Sequence, residues 1–158
     1  MIQRSQTIYL LLVAILTGIT TLFDNAHYLI DEEIMYKMSL YKIIPQDGSE
    51  VIIPGNWLPQ IVLVTAIVIL SLLTISRYKN RKLQLKLGAI NYLLLATLII
   101  STYLSIESSL LLLENGDQMD ILFYTGFYLP IAAVTFQFLA NRGIKKDEEL
   151  VKSVERLR

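Results

Sequence analysis

His27 is the only histidine in the 158 residues, and it sits in DNAHYLIDEE with Asp24 three residues before it and Asp31 four after. If a helix ran through this stretch, the three side chains would share a face, and an imidazole between carboxylates offers an oxygen/nitrogen set for a divalent metal. No second histidine or thiolate strengthens the set, so the preferred reading is an interfacial histidine beside solvated acids. Glu107 lies between Ile106 and the run Leu110 to Leu113, and ionisable groups at membrane depth usually have a function. The simpler alternative is a carboxylate that reaches water at a helix end. Asn91 and Gln137 stand inside long apolar stretches. There, amides either bond between helices or, with Glu107, line an internal polar cavity suited to a small transporter or lipid-handling protein.

Little other chemistry is encoded. No phosphate-binding glycine loop, catalytic Ser/His/Asp motif, paired intramembrane carboxylates or zinc-protease helix occurs. The chain has no cysteine, which excludes disulfides, thiolate catalysis, iron–sulfur clusters and cysteine–zinc sites. No catalytic residue, metal or cofactor is assigned, and an enzyme is the less favoured class.

The elements that must position these side chains follow from the distribution of charge. With 54% hydrophobic residues and a mean hydropathy of +0.52, the chain is too apolar for an ordinary soluble domain. Four runs lack Asp, Glu, Lys and Arg: Ser5 to Phe23, Val51 to Ser76, Leu87 to Ile106 and Ile121 to Asn141. A helix needs roughly 20 apolar residues to cross a hydrocarbon core of about 30 Å, so each run is long enough for one crossing. Pro54, Gly55 and Pro59 interrupt the second run, and Asn115-Gly116 signals a stop after the third. The spans are therefore expected at about 5–24, 58–76, 87–113 and 121–141, with Pro130 kinking the last. A barrel would show short alternating segments, and these are absent. Cleavage of the first run as a signal peptide is disfavoured, because Asp24 stands where a small residue is required.

The net charge is zero, yet it is strongly polarised along the chain. Twelve of the 14 basic residues fall in the N-terminal segment, the loop Arg77 to Lys86 and the tail from Arg142, against four acids there. The segments between helices 1 and 2 and after helix 3 hold ten acids against Lys37 and Lys42. That is +8 on one side and −8 on the other. Basic loops stay in the cytoplasm, so both termini are expected inside. The basic loop has no aromatic platform beyond Tyr78 and is not expected to bind nucleic acid.

Two polar segments look structured. IMYKMSLYKII, PQDGSE and VIIP read as a hairpin with strands near Met35 to Ile44 and Glu50 to Ile53 in the outer loop 25–57. Tyr28, Tyr36, Tyr41 and Trp57 would stand at the outer headgroups. The cytoplasmic tail, 142–158, reads as a short amphipathic helix with Leu150, Val151, Val154 and Leu157 on one stripe. A helix this short is marginal alone, so the stripe should rest on the membrane surface or on a partner.

The opening MIQRSQTIYLLLVAILTG and the closing LANRGIKKDEELVKSVERLR resemble an uncharacterised family of small bacterial four-helix membrane proteins, the domain of unknown function 4293. The resemblance covers the whole chain. It implies an integral inner-membrane protein and carries no assigned activity or catalytic residues. The expectation is one domain over 1–158: an all-α, four-helix membrane bundle with both termini inside, an outer β-hairpin and a short cytoplasmic C-terminal helix. Its expected role is a non-enzymatic structural or interaction subunit in the lipid bilayer, meeting a protein partner through the tail or the outer hairpin.

Overall fold

The computed structural model describes residues 3–30, 33–47, 52, 57–78, 80–113 and 119–156. It is mostly helical. Four α-helices, α1 (Gln3–Ile19), α2 (Trp57–Ser76), α3 (Arg81–Leu113) and α4 (Thr125–Arg156), carry a small antiparallel sheet of β1 (Asp24–Ile30), β2 (Glu33–Ser39), β3 (Ile43–Pro45) and β4 (Asp120–Phe123). Three stretches, Ser5–Leu22, Trp57–Ser76 and Arg81–Leu113, are long and apolar enough to cross a membrane. The apolar part of α4 is diluted by Gly126, Pro130, Gln137 and Asn141 before Arg142 brings charge.

Each helix packs on its chain neighbours, and α4 closes the ring against α1. Among the residues described between α2 and α3, Asn80 N–H bonds Arg77 O at 2.9 Å and the Asn80 side chain caps Leu83 N–H at 3.1 Å. This tight reversal sets α2 and α3 antiparallel. It also starts α3 at Arg81, several residues ahead of the expected span. Mid-bundle, Val13, Val64, Ile67, Leu95, Leu98 and Ala133 form one buried cluster, joined by Leu40 from the turn after β2. A second cluster sets the inner face of the sheet, Ala26, Tyr28, Met38 and Ile43, against Ile106 and Leu113 of α3.

Four expectations about local structure need correction. α1 ends at Ile19, followed by a 3-10 turn over Thr20–Leu22, instead of running to residue 24. The Thr20 and Thr21 hydroxyls bond back to Leu16 O at 3.0 Å and Gly18 O at 2.9 Å, and Phe23 is extended with φ −106° and ψ 153°. Second, the hairpin forms earlier than expected, between β1 and β2. The expected pairing of Met35–Ile44 with Glu50–Ile53 shrinks to β3 beside β2 and one bridge between Ile43 and Ile52. Glu50, Val51 and Ile53 lie outside the described residues.

Third, where the last helix was expected to open at Ile121, Asp120–Phe123 is strand β4 on the free side of β1, giving the order β3-β2-β1-β4. Its run of Ile, Leu and Phe suits a pleated, half-buried edge, and pairing with a strand some 95 residues away overrides its helical reading. Fourth, the tail is not a separate helix. α4 continues without a break from Thr125 to Arg156 and carries Pro130 in its second turn.

Candidate functional site

Polar side chains gather in three places within this frame. The first is the helix interior. Asn91 of α3 donates through Nδ2 to Ser71 Oγ on α2 and to Gln137 Oε1 on α4, both at 2.9 Å. Gln137 Nε2 in turn donates to Asn141 Oδ1 at 3.0 Å and to Gly88 O at 3.4 Å. Asn91, Ser71 and Gln137 are wholly buried, so this network ties three helices in one register. A side chain at Gly88 would run into the Asn141 amide and one at Gly126 into Asn25 and the backbone before it, whereas one at Gly18 would meet Val68 only in ordinary contact.

Glu107 does not join that network. Its side chain is exposed and accepts a hydrogen bond from Tyr103 Oη at 2.8 Å. Between Asn91 and Glu107, α3 presents Leu95 and Leu98 to the interior, both fully buried. The polar cavity expected around Glu107, Asn91 and Gln137 is therefore not assembled among the described residues.

The second cluster lies at the sheet end. His27 Nε2 is 3.3 Å from Asp24 Oδ2, and Ser39 Oγ donates to Asp24 Oδ1 at 3.1 Å. In a regular strand, residues three apart face opposite sides. A β-bulge between Asp24 and Ala26 shifts that parity and brings the two together. The composition is Ser, His and Asp, but the order is wrong for nucleophilic catalysis. Serine must bond the imidazole to be activated, whereas here both reach the carboxylate. The imidazole stacks on Tyr124 at 4.3 Å between centroids. Asp31 lies outside the described residues, and among those described no group of three potential metal ligands forms. Tyr28 is buried beside this cluster, with its hydroxyl 2.9 Å from Ile106 O and 3.0 Å from Met38 Sδ. Burial pushes its phenol well above the usual tyrosine range, and the Ser109 hydroxyl opposes that in part.

The third cluster closes the basic end of the bundle, and the sequence reading missed it. Gln6 Nε2 of α1 donates to Asp147 Oδ2 at 2.7 Å, Arg81 Nη1 donates to Asp147 O at 2.7 Å, and Gln84 Nε2 donates to Thr74 O at 2.8 Å. Gln6, Gln84 and Asp147 are each 6% exposed. A faint signal existed: Ile144 and Asp147 are three apart, and Ile144 is wholly buried, so both share the packed face of α4.

The tail stripe divides. Leu150 and Val151 are exposed at 50% and 42%. Val154 is on the helix but its side chain lies outside the described set, as does Leu157 altogether.

No curated protein matches the sequence. The model of a family described as a domain of unknown function (DUF4293) matches residues 2–157, and over that span, practically its whole length, the chain belongs to this family.

Proposed function

We propose that this is a multi-pass protein of a bacterial inner membrane, with both termini and the α2–α3 turn inside and the sheet outside. Its role is that of a non-enzymatic structural or interaction subunit. The supporting physics is simple. Ile8, Ile15, Val62, Ile69, Leu93 and Ile100 point outward from the helices, where water would penalise them and hydrocarbon would not. The acidic and basic segments fall at opposite ends of the bundle, as the retention of Lys and Arg inside requires. Mid-bundle, the apolar layer of Val13, Ile67, Leu95, Leu98 and Ala133 separates the interior amides from the sheet-end polar groups. This disfavours passage of a polar solute.

The observation that carries the interaction role is the continuation of α4. From Asn141 to Arg156 it extends about 24 Å past its apolar part at 1.5 Å per residue. Leu150 and Val151 stand exposed beyond that apolar part, on a helix that an isolated tail could not maintain. A partner protein is the occupant this favours. Purified from its own membranes in mild detergent, the intact protein should bring down a partner that the Leu150→Asp, Val151→Asp double variant loses. The thermal midpoint of the variant should change by less than about 2 °C, since both positions are surface ones. An identical set of co-purifying proteins, or none with either form, would count against this role.

A further inference from the structure

At the basic end of the bundle, Gln6, Thr7, Leu10, Tyr78, Arg81, Gln84 and Asp147 line a largely enclosed cavity of about 20 Å³. A void needs roughly 10–15 Å³ to admit one water-sized group, so this one accepts a single small polar head and little more. Its chemistry is set by what the lining has already used. Gln6 donates its amide nitrogen to Asp147 and Gln84 donates its own to Thr74 O. Each side chain therefore retains a carbonyl oxygen as the acceptor it brings to the lining. Asp147 is 94% buried, and among the described residues no lysine or arginine nitrogen lies within ion-pair distance of its carboxylate. Arg81 is committed through Nη1 to the Asp147 carbonyl rather than its carboxylate. Gly143, one turn before Asp147, is what lets Gln6 reach it, because a Cβ there would come within 2.9 Å of Gln6 Cγ.

We propose that this cavity binds a primary ammonium group, accepted by the Asp147 carboxylate and the Gln6 and Gln84 oxygens, with Arg81 at the mouth taking an attached phosphate. An ammonium offers three N–H donors to three acceptors and supplies a counter-charge that no lysine or arginine among the described residues gives the buried Asp147 carboxylate. The Arg81 guanidinium disfavours a lone cation and favours a zwitterion whose anionic group is a few atoms from the nitrogen. The ligand chemistry is therefore that of phosphoethanolamine, either as the headgroup of an inner-leaflet aminophospholipid or free in solution. Only the lipid source rests on the membrane assignment above.

The test uses the full chain in detergent and native mass spectrometry with three lipids of matched acyl chains. Phosphatidylethanolamine should be retained about tenfold or more over phosphatidylcholine, which keeps the phosphate but has no N–H, and over phosphatidylglycerol, which has no nitrogen. That factor corresponds to the loss of one charge-assisted hydrogen bond. Asp147→Asn keeps an acceptor for Gln6 and should abolish the preference. O-phosphoethanolamine, added as a soluble probe, should raise the thermal midpoint of the wild type and not of Asp147→Asn if the free compound is the source. A lipid preference with no response to the soluble probe assigns the site to the bilayer. Equal retention of phosphatidylcholine, or a preference that survives in Asp147→Asn, would overturn the site. Carbonate extraction of native membranes checks the membrane assignment separately, so its failure is distinguishable from failure of the site.

Discussion

Gly126→Ala is expected to lower the stability of the protein by about 3 kcal/mol, the upper end for overpacking a closed site. A Cβ at this position would lie 2.6 Å from Asn25 Oδ1, 2.7 Å from Asp24 O and 2.9 Å from Phe23 O. Two of these are backbone oxygens, at the step where the 3-10 turn hands over to β1. Neither can withdraw cheaply. Asp24 is paired with Ser39, and Tyr124 N–H bonds Asn25 O at 2.9 Å. Asn25, the extra residue of the bulge, is wholly buried with neither side-chain polar atom hydrogen-bonded among the described residues, so it has already been driven into a costly position. Gly18→Ala is the matched control, since the nearest atom to its Cβ is Val68 Cγ2 at 4.0 Å. Within a helix that substitution should be neutral or stabilising by a few tenths of a kcal/mol. Thermal unfolding of both variants in one detergent measures the contrast, and equal midpoints would contradict the packing at the junction.

Leu40→Ala is expected to cost about 2–5 kcal/mol, as for other fully buried leucines. The size of the effect follows from its position. Leu40 belongs to the turn after β2, yet it is buried in the same cluster as Val13, Val64, Ile67, Leu95, Leu98 and Ala133 of the helices. It is the side chain by which the sheet plugs the end of the bundle. An isolated small sheet is marginal in water, so losing this anchor should loosen the sheet before the helices. Limited proteolysis within 33–47 should accelerate in the variant at temperatures where helical circular dichroism is unchanged. Unchanged cleavage together with an unchanged midpoint would mean that Leu40 does not anchor the sheet.

The parts of this structure that were legible in the sequence are those fixed by long uninterrupted patterns. The α2 bounds follow from a charge-free run opened by Pro54, Gly55 and Pro59 and closed at Arg77, and the end of α3 at Leu113 follows from the stop signal Asn115-Gly116. Asn91 and Gln137 stood out as amides in apolar stretches, and they bond to each other. Glu107 stood out as an ionisable group beside an apolar run, and of its two readings the structure fits the exposed carboxylate, apart from the Asn91 network. Sixteen residues beyond Asn91 correspond to a rotation of about 160° at 3.6 residues per turn, which puts it on the opposite face. Buried positions of α3, including Gln84, Gly88, Asn91, Leu95, Leu98 and Thr102, keep instead to one stripe.

The sheet was harder to read. β4 is four residues long and gains its identity only from β1, far away in sequence. Asp24 and His27 were joined by assuming a helix; a bulge in a strand achieves the same meeting. Asp147 entered the sequence reading only as one of the four acids of the basic side, because the tail was taken as a separate helix with its own apolar stripe. Once α4 is continuous, Asp147 falls on the face that packs against α1, and Gln6 becomes its partner. Sequence periodicity locates a stripe well. It does not tell how far a helix runs before it loses its neighbours.

The most direct measurement of the account's central claim, a membrane bundle with the sheet and the tail on opposite sides, is the sidedness of single introduced cysteines. The chain has none of its own, so each label reports one position. Lys37 on β2, Lys82 at the start of α3 and Ser153 near the end of α4 are all exposed. With a membrane-impermeant maleimide on sealed spheroplasts, Lys37→Cys should label at once, while Lys82→Cys and Ser153→Cys should label only after the membrane is permeabilised. Labelling of Lys37→Cys and Ser153→Cys from the same side would contradict it.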